Sequence, residues 1–225
     1  MSFSSDVKKE LAGLTDIPKH CAIAQLSAMA AFLGDADPDG LYFRGDKPLL
    51  MVVRELVSKN FKADESCFSL TNDADSVISP SRLHISDTKL SEDILMAIKW
   101  KDVHTQESGR RFSSAVLMKN ECCRRAFLRG AFLCAGSVND PHGAYHLEIV
   151  CKSEDEAGEL AVEVAARVVE VGYDIHLVAF GIVDAGGDVH VVGAHEVGLL
   201  LLANHLHGDG AAQVEMLHPI ATDNL

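Results

Sequence analysis

The stretch that decides the fold is Arg125-Ala-Phe-Leu-Arg-Gly-Ala-Phe-Leu-Cys-Ala-Gly-Ser-Val138. Its apolar and small residues recur at helical spacing and Gly136 interrupts them, so we predict a helix over 121–135. A similar stretch lies 102 residues earlier, where we predict a helix over 19–33 that stops at Gly34. At this offset Cys21 falls on Cys123, Ala24 on Ala126, Leu26 on Leu128 and Gly34 on Gly136. These matches indicate an internal duplication.

Small residues mark one face of each predicted helix. Ala24 and Ala28 lie four residues apart in the first, as do Ala126 and Gly130 in the second, and such residues share a helix face. Small side chains let two helix backbones approach closely. We therefore predict that the two halves meet along these faces, and we assign Gly34 and Gly136 to the same contact.

The remaining segments predict an α+β fold with two similar helix-strand-strand-helix halves. The pattern indicates further helices over 4–14, 48–61, 91–98 and 153–171, with a cap at Ser91, and strands over 41–43, 67–70, 82–85 and 145–150. An apolar run over 197–206 could form another helix. The predicted organisation is a first repeat over 1–110, a second repeat over 111–175 and an atypical tail over 176–225.

The charge is strongly acidic and uneven. The formal net charge is −13, and all 20 Lys and Arg residues lie at or before Arg167. The stretch 168–225 holds eight of the 33 acidic residues, no Lys or Arg, and six of the 11 histidines. An acidic surface repels a phosphate backbone, so composition alone argues against strong DNA binding. The polar start over 1–10 and the short apolar runs predict a cytoplasmic protein with no membrane partner.

We assign no metal or cofactor from the sequence. The six cysteines form no Cys-x-x-Cys pair, so we interpret them as reduced, mostly buried apolar groups.

Two other motifs resemble metal sites. Asp35-x-Asp37-x-Asp39-Gly40, with Asp46 at the twelfth place, has the spacing of a calcium loop. Pro38 and the predicted strand over 41–43 favour a turn instead. His205-x-His207-x-Asp209 could be drawn as ligands, but an unusual tail composition is the preferred interpretation.

Three stretches resemble one protein family. Arg125–Val138 resembles the second helix of the WhiA family, which is named for bacterial sporulation and cell division, and Met1–Leu11 and Tyr145–Val150 are similar to the same family. The resemblance covers residues 1–173. It implies a two-repeat homing-endonuclease scaffold of the LAGLIDADG type, followed in the family by a DNA-binding helix-turn-helix part. We find no match to that part after Tyr173, so we expect either a shifted reading frame or a truncated or diverged family member.

The nuclease motif is incomplete. Laid on Leu-Ala-Gly-Leu-Ile-Asp-Ala-Asp-Gly, the stretch 128–136 places Ala135 at the eighth position, where the nuclease needs a carboxylate to hold a divalent metal. Leu133 stands at the sixth position, and Leu33 is the equivalent of Ala135 in the first repeat. Because apolar groups cannot coordinate a hard cation, we expect a scaffold that is not an enzyme.

The densest basic cluster is the candidate DNA contact. It consists of Lys119, Arg124, Arg125 and Arg129. The resemblance implies a DNA-associated regulator of sporulation gene expression or cell division, found at the nucleoid when bound to DNA, with possible protein partners in transcription or division. Without a helix-turn-helix, DNA binding should be weak. The alternatives are a protein-interaction module without DNA contact, a solvated or salt-bridged cluster, and a residual metal-dependent nuclease.

Overall fold

The computed structural model describes residues 2–72, 81–100, 116–139, 147–151 and 160, and the backbone of two strands at 178–183 and 189–195. Five helices lie in these ranges: α1 (Phe3–Ala12), α2 (Lys19–Leu33), α3 (Lys47–Phe61), α4 (Thr88–Ala97) and α5 (Glu121–Ala135). Eight strands accompany them: β1 (Gly34–Asp37), β2 (Gly40–Gly45), β3 (Phe68–Asn72), β4 (Ser81–Ile85), β5 (Gly136–Val138), β6 (Leu147–Ile149), β7 (Val178–Val183) and β8 (Val189–His195).

Helices α2 and α5 have the predicted bounds, whereas α4 begins earlier than predicted. Its cap is Asp87, whose carboxylate accepts a hydrogen bond of 2.8 Å from the backbone N–H of Leu90. Ser91 instead lies inside the helix and is buried, and its hydroxyl donates to the carbonyl of Ile85 at 3.0 Å. The prediction that Ser91 caps this helix is therefore wrong, because an acidic residue one turn earlier satisfies the free N–H groups.

Helix α2 is the centre of the molecule, since it is buried on nearly every side. A helix that is apolar all round belongs in a core. One face, with Cys21, Ala24 and Ala28, packs with α5. The opposite face, with Leu26 and Met29, packs against the first sheet and α3. Helix α2 therefore belongs to the core of the first repeat and also forms the contact with the second.

The first sheet has the order β1-β2-β4-β3 and is antiparallel throughout. Leu41 and Phe43 of β2 and Leu83 and Ile85 of β4 point into the core and are almost fully buried. Since side chains alternate across a strand, the residues between them form the outer face. The predicted turn over 35–40 is a hairpin, whose first strand β1 was not predicted.

The second sheet has the order β5-β6-β7-β8, with β6 and β7 parallel. It continues past residue 175, where the sequence predicted the end of the second repeat. The two sheets also differ in topology, because β2 pairs antiparallel with β4 in the first. Apart from Leu160, the helices predicted over 153–171 and 197–206 lie outside the described residues. None of the helices in the described ranges has the length and apolar composition needed to cross a bilayer.

Candidate functional site

The contact between α2 and α5 is close enough to exclude a side chain at Gly130. A Cβ atom built on Gly130 would lie 2.6 Å from the backbone carbonyl oxygen of Gln25 and 3.0 Å from the Cβ of Ala28. Ala24, Ala28 and Ala126 are buried in the same cluster. The structure thus brings these four small residues together between the two helices.

Gly34 and Gly136 have a different environment from the one assigned to them. A Cβ on Gly34 would lie 2.5 Å from the carbonyl oxygen of Ala30, and one on Gly136 would lie 2.2 Å from the ring of Phe132. These nearest atoms belong to each glycine's own helix. The sequence placed both glycines in the packing between helices; the structure instead places each at the junction where a helix turns into a strand.

The positions of the nuclease carboxylates are the last residues of the two helices. Leu33 ends α2 and Ala135 ends α5, and both are partly buried against the apolar core between the repeats. Leu133 is buried with α1. Asp35 follows two residues after Leu33, but it is exposed and its carboxylate accepts from the N–H of Ala36. The described residues around this point therefore offer a hydrocarbon surface rather than a set of ligands.

The basic cluster predicted from the sequence is divided by the structure. Arg124 donates through Nε to the carbonyl of Met118 at 2.5 Å, and Arg125 forms an ion pair with Glu121. Lys119 is exposed. Arg129 is half-buried, whereas Arg125 is exposed.

Arg129 contacts the neighbouring helix instead. Its Nε donates to the side-chain carbonyl of Gln25 at 2.9 Å, and burial lowers its pKa from the usual value for arginine. Gln25 is fully buried, and its Nε2 has no partner among the described residues. The pair is a polar link between the repeats, beside Gly130.

The outer face of the first sheet carries a stack of three side chains. The rings of Tyr42 and His84 are parallel with centroids 4.3 Å apart, and the guanidinium of Arg82 lies 3.8 Å from the centroid of Tyr42. A guanidinium over an aromatic face is a favourable arrangement. Burial, with the charge of Asp37 as the next cause, raises the pKa of Tyr42. The stack holds Arg82 at a fixed place on this face.

Arg44 lies directly opposite Arg82 in the register of β2 and β4. Like charges in directly opposed positions destabilise a sheet unless something else compensates for their repulsion. Neither arginine forms an ion pair with any residue in the described ranges, and Nε of Arg82 is buried without a partner there. Ser69 and Thr71 of β3 lie beside them, opposite His84 and Arg82. This arrangement favours an anion with several oxygen acceptors.

The acidic residues that resemble a calcium loop lie at the edge of the same sheet. Asp37 ends β1 and Asp39 lies in the hairpin turn, and the carboxylate of Asp37 accepts from the N–H of Asp39 at 2.8 Å. Asp46 stands separately, at the start of α3. Hairpin pairing between β1 and β2 occupies the backbone that a calcium loop would use, which fits the turn preferred from the sequence.

A cluster of thiols and one imidazole lies at the starts of α2 and α5. It consists of His20, Cys21, Cys122 and Cys123, and one ligand atom from each lies within 4.8 Å of all the others. Nδ1 of His20 is 3.2 Å from Sγ of Cys123, 3.4 Å from Sγ of Cys21 and 4.0 Å from Sγ of Cys122. Cys21 and Cys123 are buried, whereas His20 and Cys122 are exposed.

In the arrangement shown, the two buried thiols of this cluster, Cys21 and Cys123, are poor nucleophiles. Burial raises the pKa of Cys21 to about 12, with a hydrogen bond to Cys122 as the next cause, and burial also raises the pKa of Cys123. A reactive cysteine needs a lowered pKa in an electropositive environment. The thiols of Cys21 and Cys123 are therefore protonated at neutral pH unless a metal ion binds them.

The sequence interpretation missed this cluster. It treated the cysteines as separate apolar groups, and for the exposed Cys122 that is wrong. The internal repeat could have revealed the cluster, because the offset of 102 residues superimposes His20-Cys21 on Cys122-Cys123.

Comparison with known proteins identifies relatives of this scaffold. Residues 124–176 match the family model described as the WhiA LAGLIDADG-like domain. The probable cell division protein WhiA of Lachnospira eligens is 36% identical over 164 residues, which cover 70% of this chain and 51% of that protein. Its counterpart in Desulforudis audaxviator is 34% identical over 174 residues, covering 72% and 52%. The chain spans about half the length of these curated relatives.

Solved structures agree in fold. The crystal structure of the N-terminal LAGLIDADG domain of WhiA superimposes with a TM-score of 0.56 at 15% identity, covering 91% of this chain and 88% of that one. Full-length WhiA from Thermatoga maritima gives a TM-score of 0.56 at 16% identity, covering 94% and 69%. The predicted α+β fold of the LAGLIDADG type is confirmed.

Proposed function

Since the chain belongs to the WhiA family through its LAGLIDADG-like part, we propose that it is a DNA-associated regulator of cell division or sporulation gene expression. The relatives named above are called cell division proteins, which supports this assignment. In this proposal the chain binds DNA or partner proteins and does not cleave DNA.

The opposed pair Arg44 and Arg82 carries the proposal. Two guanidinium groups on one sheet face, without carboxylate partners in the described ranges, match the charge and the bidentate geometry of phosphate oxygens. Contacts to phosphate position a protein on DNA but carry no sequence information. The proposal is therefore for sequence-independent binding, kept weak by the net charge of −13.

The cluster predicted from the sequence is a second candidate contact, reduced to Lys119 and Arg125. Arg124 donates to the backbone carbonyl of Met118 and Arg129 donates to Gln25 of the neighbouring helix, so these two arginines are less suited to bind phosphate. Both contacts can be compared in one experiment, because they lie on different elements.

Binding of a short fluorescent DNA duplex, measured by anisotropy over a range of salt concentrations, tests the proposal. Each phosphate contact contributes about 0.9 to the slope of log affinity against log salt. We expect Arg44→Gln with Arg82→Gln to lower this slope by about 2 and to weaken binding at every sequence tested. Lys119→Gln with Arg125→Gln should have a smaller effect.

The matched control is Lys47→Gln with Lys62→Gln, which removes the same charge from exposed positions outside the first sheet. It should leave the slope nearly unchanged, and circular dichroism should show every variant folded. If the wild-type chain shows no binding at low salt, or if the control weakens binding as much as the sheet variant does, the assignment to Arg44 and Arg82 is wrong. Absence of binding would favour the protein-interaction alternative.

We also propose that the chain has no nuclease activity. The hydrocarbon surface at Leu33 and Ala135 supports this, because a divalent ion needs oxygen ligands to hold it against a phosphate. Incubation of supercoiled plasmid with Mg²⁺ or Mn²⁺ should produce no nicked product above the buffer control. Metal-dependent nicking that Asp35→Asn abolishes would contradict the proposal, since Asp35 is the exposed acid nearest in sequence to Leu33.

A further inference from the structure

The cluster of His20, Cys21, Cys122 and Cys123 has the donor set of a structural zinc site. Three sulfurs and one imidazole nitrogen are a combination that zinc adopts in closed, four-coordinate sites. Soft thiolate ligands also disfavour magnesium and calcium, which prefer oxygen. The donor atoms come from two helices whose chain positions are about a hundred residues apart.

The distances agree with this geometry. A tetrahedral zinc ion with bonds of about 2.3 Å to sulfur and about 2.0–2.1 Å to nitrogen separates its ligands by about 3.8 Å for two sulfurs and about 3.6 Å for sulfur and nitrogen. The three observed separations between Nδ1 of His20 and the sulfurs are 3.2, 3.4 and 4.0 Å, and no two ligand atoms exceed 4.8 Å. The nitrogen–sulfur separations would have to change by about 0.2–0.4 Å and the widest pair would have to close by up to about 1 Å to complete the coordination.

The four residues of the cluster differ in solvent exposure, so the cluster faces the apolar core on one side and solvent on the other. Cys21 and Cys123 belong to the apolar cluster between the repeats, whereas His20 and Cys122 are exposed and leave a route for an ion. The cluster also lies in the first turns of α2 and α5, where the partial positive charge of two helix starts stabilises anionic thiolates.

The pseudo-symmetry of the scaffold explains how the cluster arises. His20-Cys21 and Cys122-Cys123 are equivalent pairs at the offset of 102 residues, so each repeat supplies two adjacent ligands at the start of its central helix. The close packing at Gly130 brings the two helices together and thereby holds both pairs at one place.

We propose that these four residues bind one Zn²⁺ ion that joins the starts of the two central helices. Binding releases the thiol protons to solvent, and the four protein ligands leave no position for a substrate. The role is structural: the ion links the repeats at one end of the helix pair, while Gly130 and the adjacent alanines pack its middle. The proposal is independent of DNA association.

Metal binding to the full chain tests this proposal. The reduced, untagged protein is dialysed against zinc and then against metal-free buffer, and bound metal is measured by elemental analysis. We expect one zinc ion per chain. Cobalt should give the absorption bands of a tetrahedral thiolate site, and zinc should raise the thermal unfolding midpoint by an amount that grows with the free zinc concentration.

His20→Gln and Cys122→Ser are the informative variants, because both positions are exposed and their folding should be unaffected. Each should weaken zinc binding by more than about 100-fold, beyond the roughly 10–100-fold loss that follows a change in an outer-shell partner. Cys67→Ser, which changes a cysteine outside the cluster, should bind zinc as the wild type does.

Several results would overturn the proposal. The first is a chain that retains no zinc and gives no tetrahedral cobalt spectrum. The second is a set of cobalt bands that persists in both ligand variants. The third is a disulfide between two of the three cysteines in the purified protein, seen as a mass lower by two hydrogens. The last result would show that two of these sulfurs bond to each other and not to a metal ion.

Discussion

Gly130→Ala should lower the free energy of unfolding by about 1–3 kcal/mol, the usual cost of adding a methyl group to a packed core. Alanine would ordinarily strengthen a helix interior by roughly 0.5–1 kcal/mol relative to glycine. Here the added Cβ would lie 2.6 Å from the backbone oxygen of Gln25, which cannot move aside as a flexible side chain can. The helices α2 and α5 must therefore separate, and the hydrogen bond from Arg129 to Gln25 should lengthen with them.

Chemical denaturation followed by circular dichroism measures this effect, and Gly13→Ala is the matched control. Gly13 ends α1 with a φ of −73°, which alanine adopts without strain, and its built Cβ approaches the Glu10 oxygen to 3.3 Å. The control should change stability by less than about 1 kcal/mol in either direction. If Gly130→Ala matches the control or is more stable than wild type, the close helix approach is wrong, and the zinc cluster that depends on it loses its geometric basis.

The central helices were predictable because their patterns are local. Periodic apolar residues, small residues four apart and a terminating glycine are all visible within fifteen residues, and α2 and α5 have the predicted bounds. Strand β1 was missed because Asp35-Ala-Asp37 contains residue types that are depleted in strands. Its structure depends on pairing with β2. Strand β7 pairs with β6 across about thirty residues, a contact that no local pattern predicts, whereas β7 and β8 form a local hairpin that was missed because the segment was interpreted only by its unusual composition.

The candidate sites depended on contacts that a linear pattern does not contain. Arg125 and Arg129 are four residues apart, yet Arg129 reaches α2 because Gln25 supplies a buried acceptor there. The opposition of Arg44 and Arg82 follows from the register of β2 and β4, which are separated by a helix and another strand. The internal offset did contain the metal cluster, but recognising it required the additional knowledge that the helix starts are adjacent.

Gly40→Ala should lower the free energy of unfolding by about 2–5 kcal/mol, combining backbone strain with a steric clash. Gly40 has a φ of +142°, a conformation that side chains with a Cβ rarely adopt. A Cβ there would lie 2.3 Å from the carbonyl oxygen of Ile85 and 3.0 Å from Nε2 of His84. The first contact is with the backbone of β4, so the pairing of β2 with β4 must shift.

Gly45→Ala, at the other end of β2, separates this effect from a general effect of alanine. Its Cβ would meet the side chains of Leu49 and Leu33 at 3.5 and 3.6 Å, which are ordinary contacts, so stability should stay the same or rise by up to about 1 kcal/mol.

The Gly40→Ala variant also tests the proposed DNA contact. Nε2 of His84 lies 3.1 Å from the carbonyl oxygen of Asp39, and the His84 ring stacks on Tyr42. The guanidinium of Arg82 lies over the same Tyr42 ring. A shift at Gly40 should therefore displace Arg82 and lower the salt slope of DNA binding, even at temperatures where the variant is folded. A folded Gly40→Ala protein with an unchanged slope would show that DNA does not bind through this sheet face.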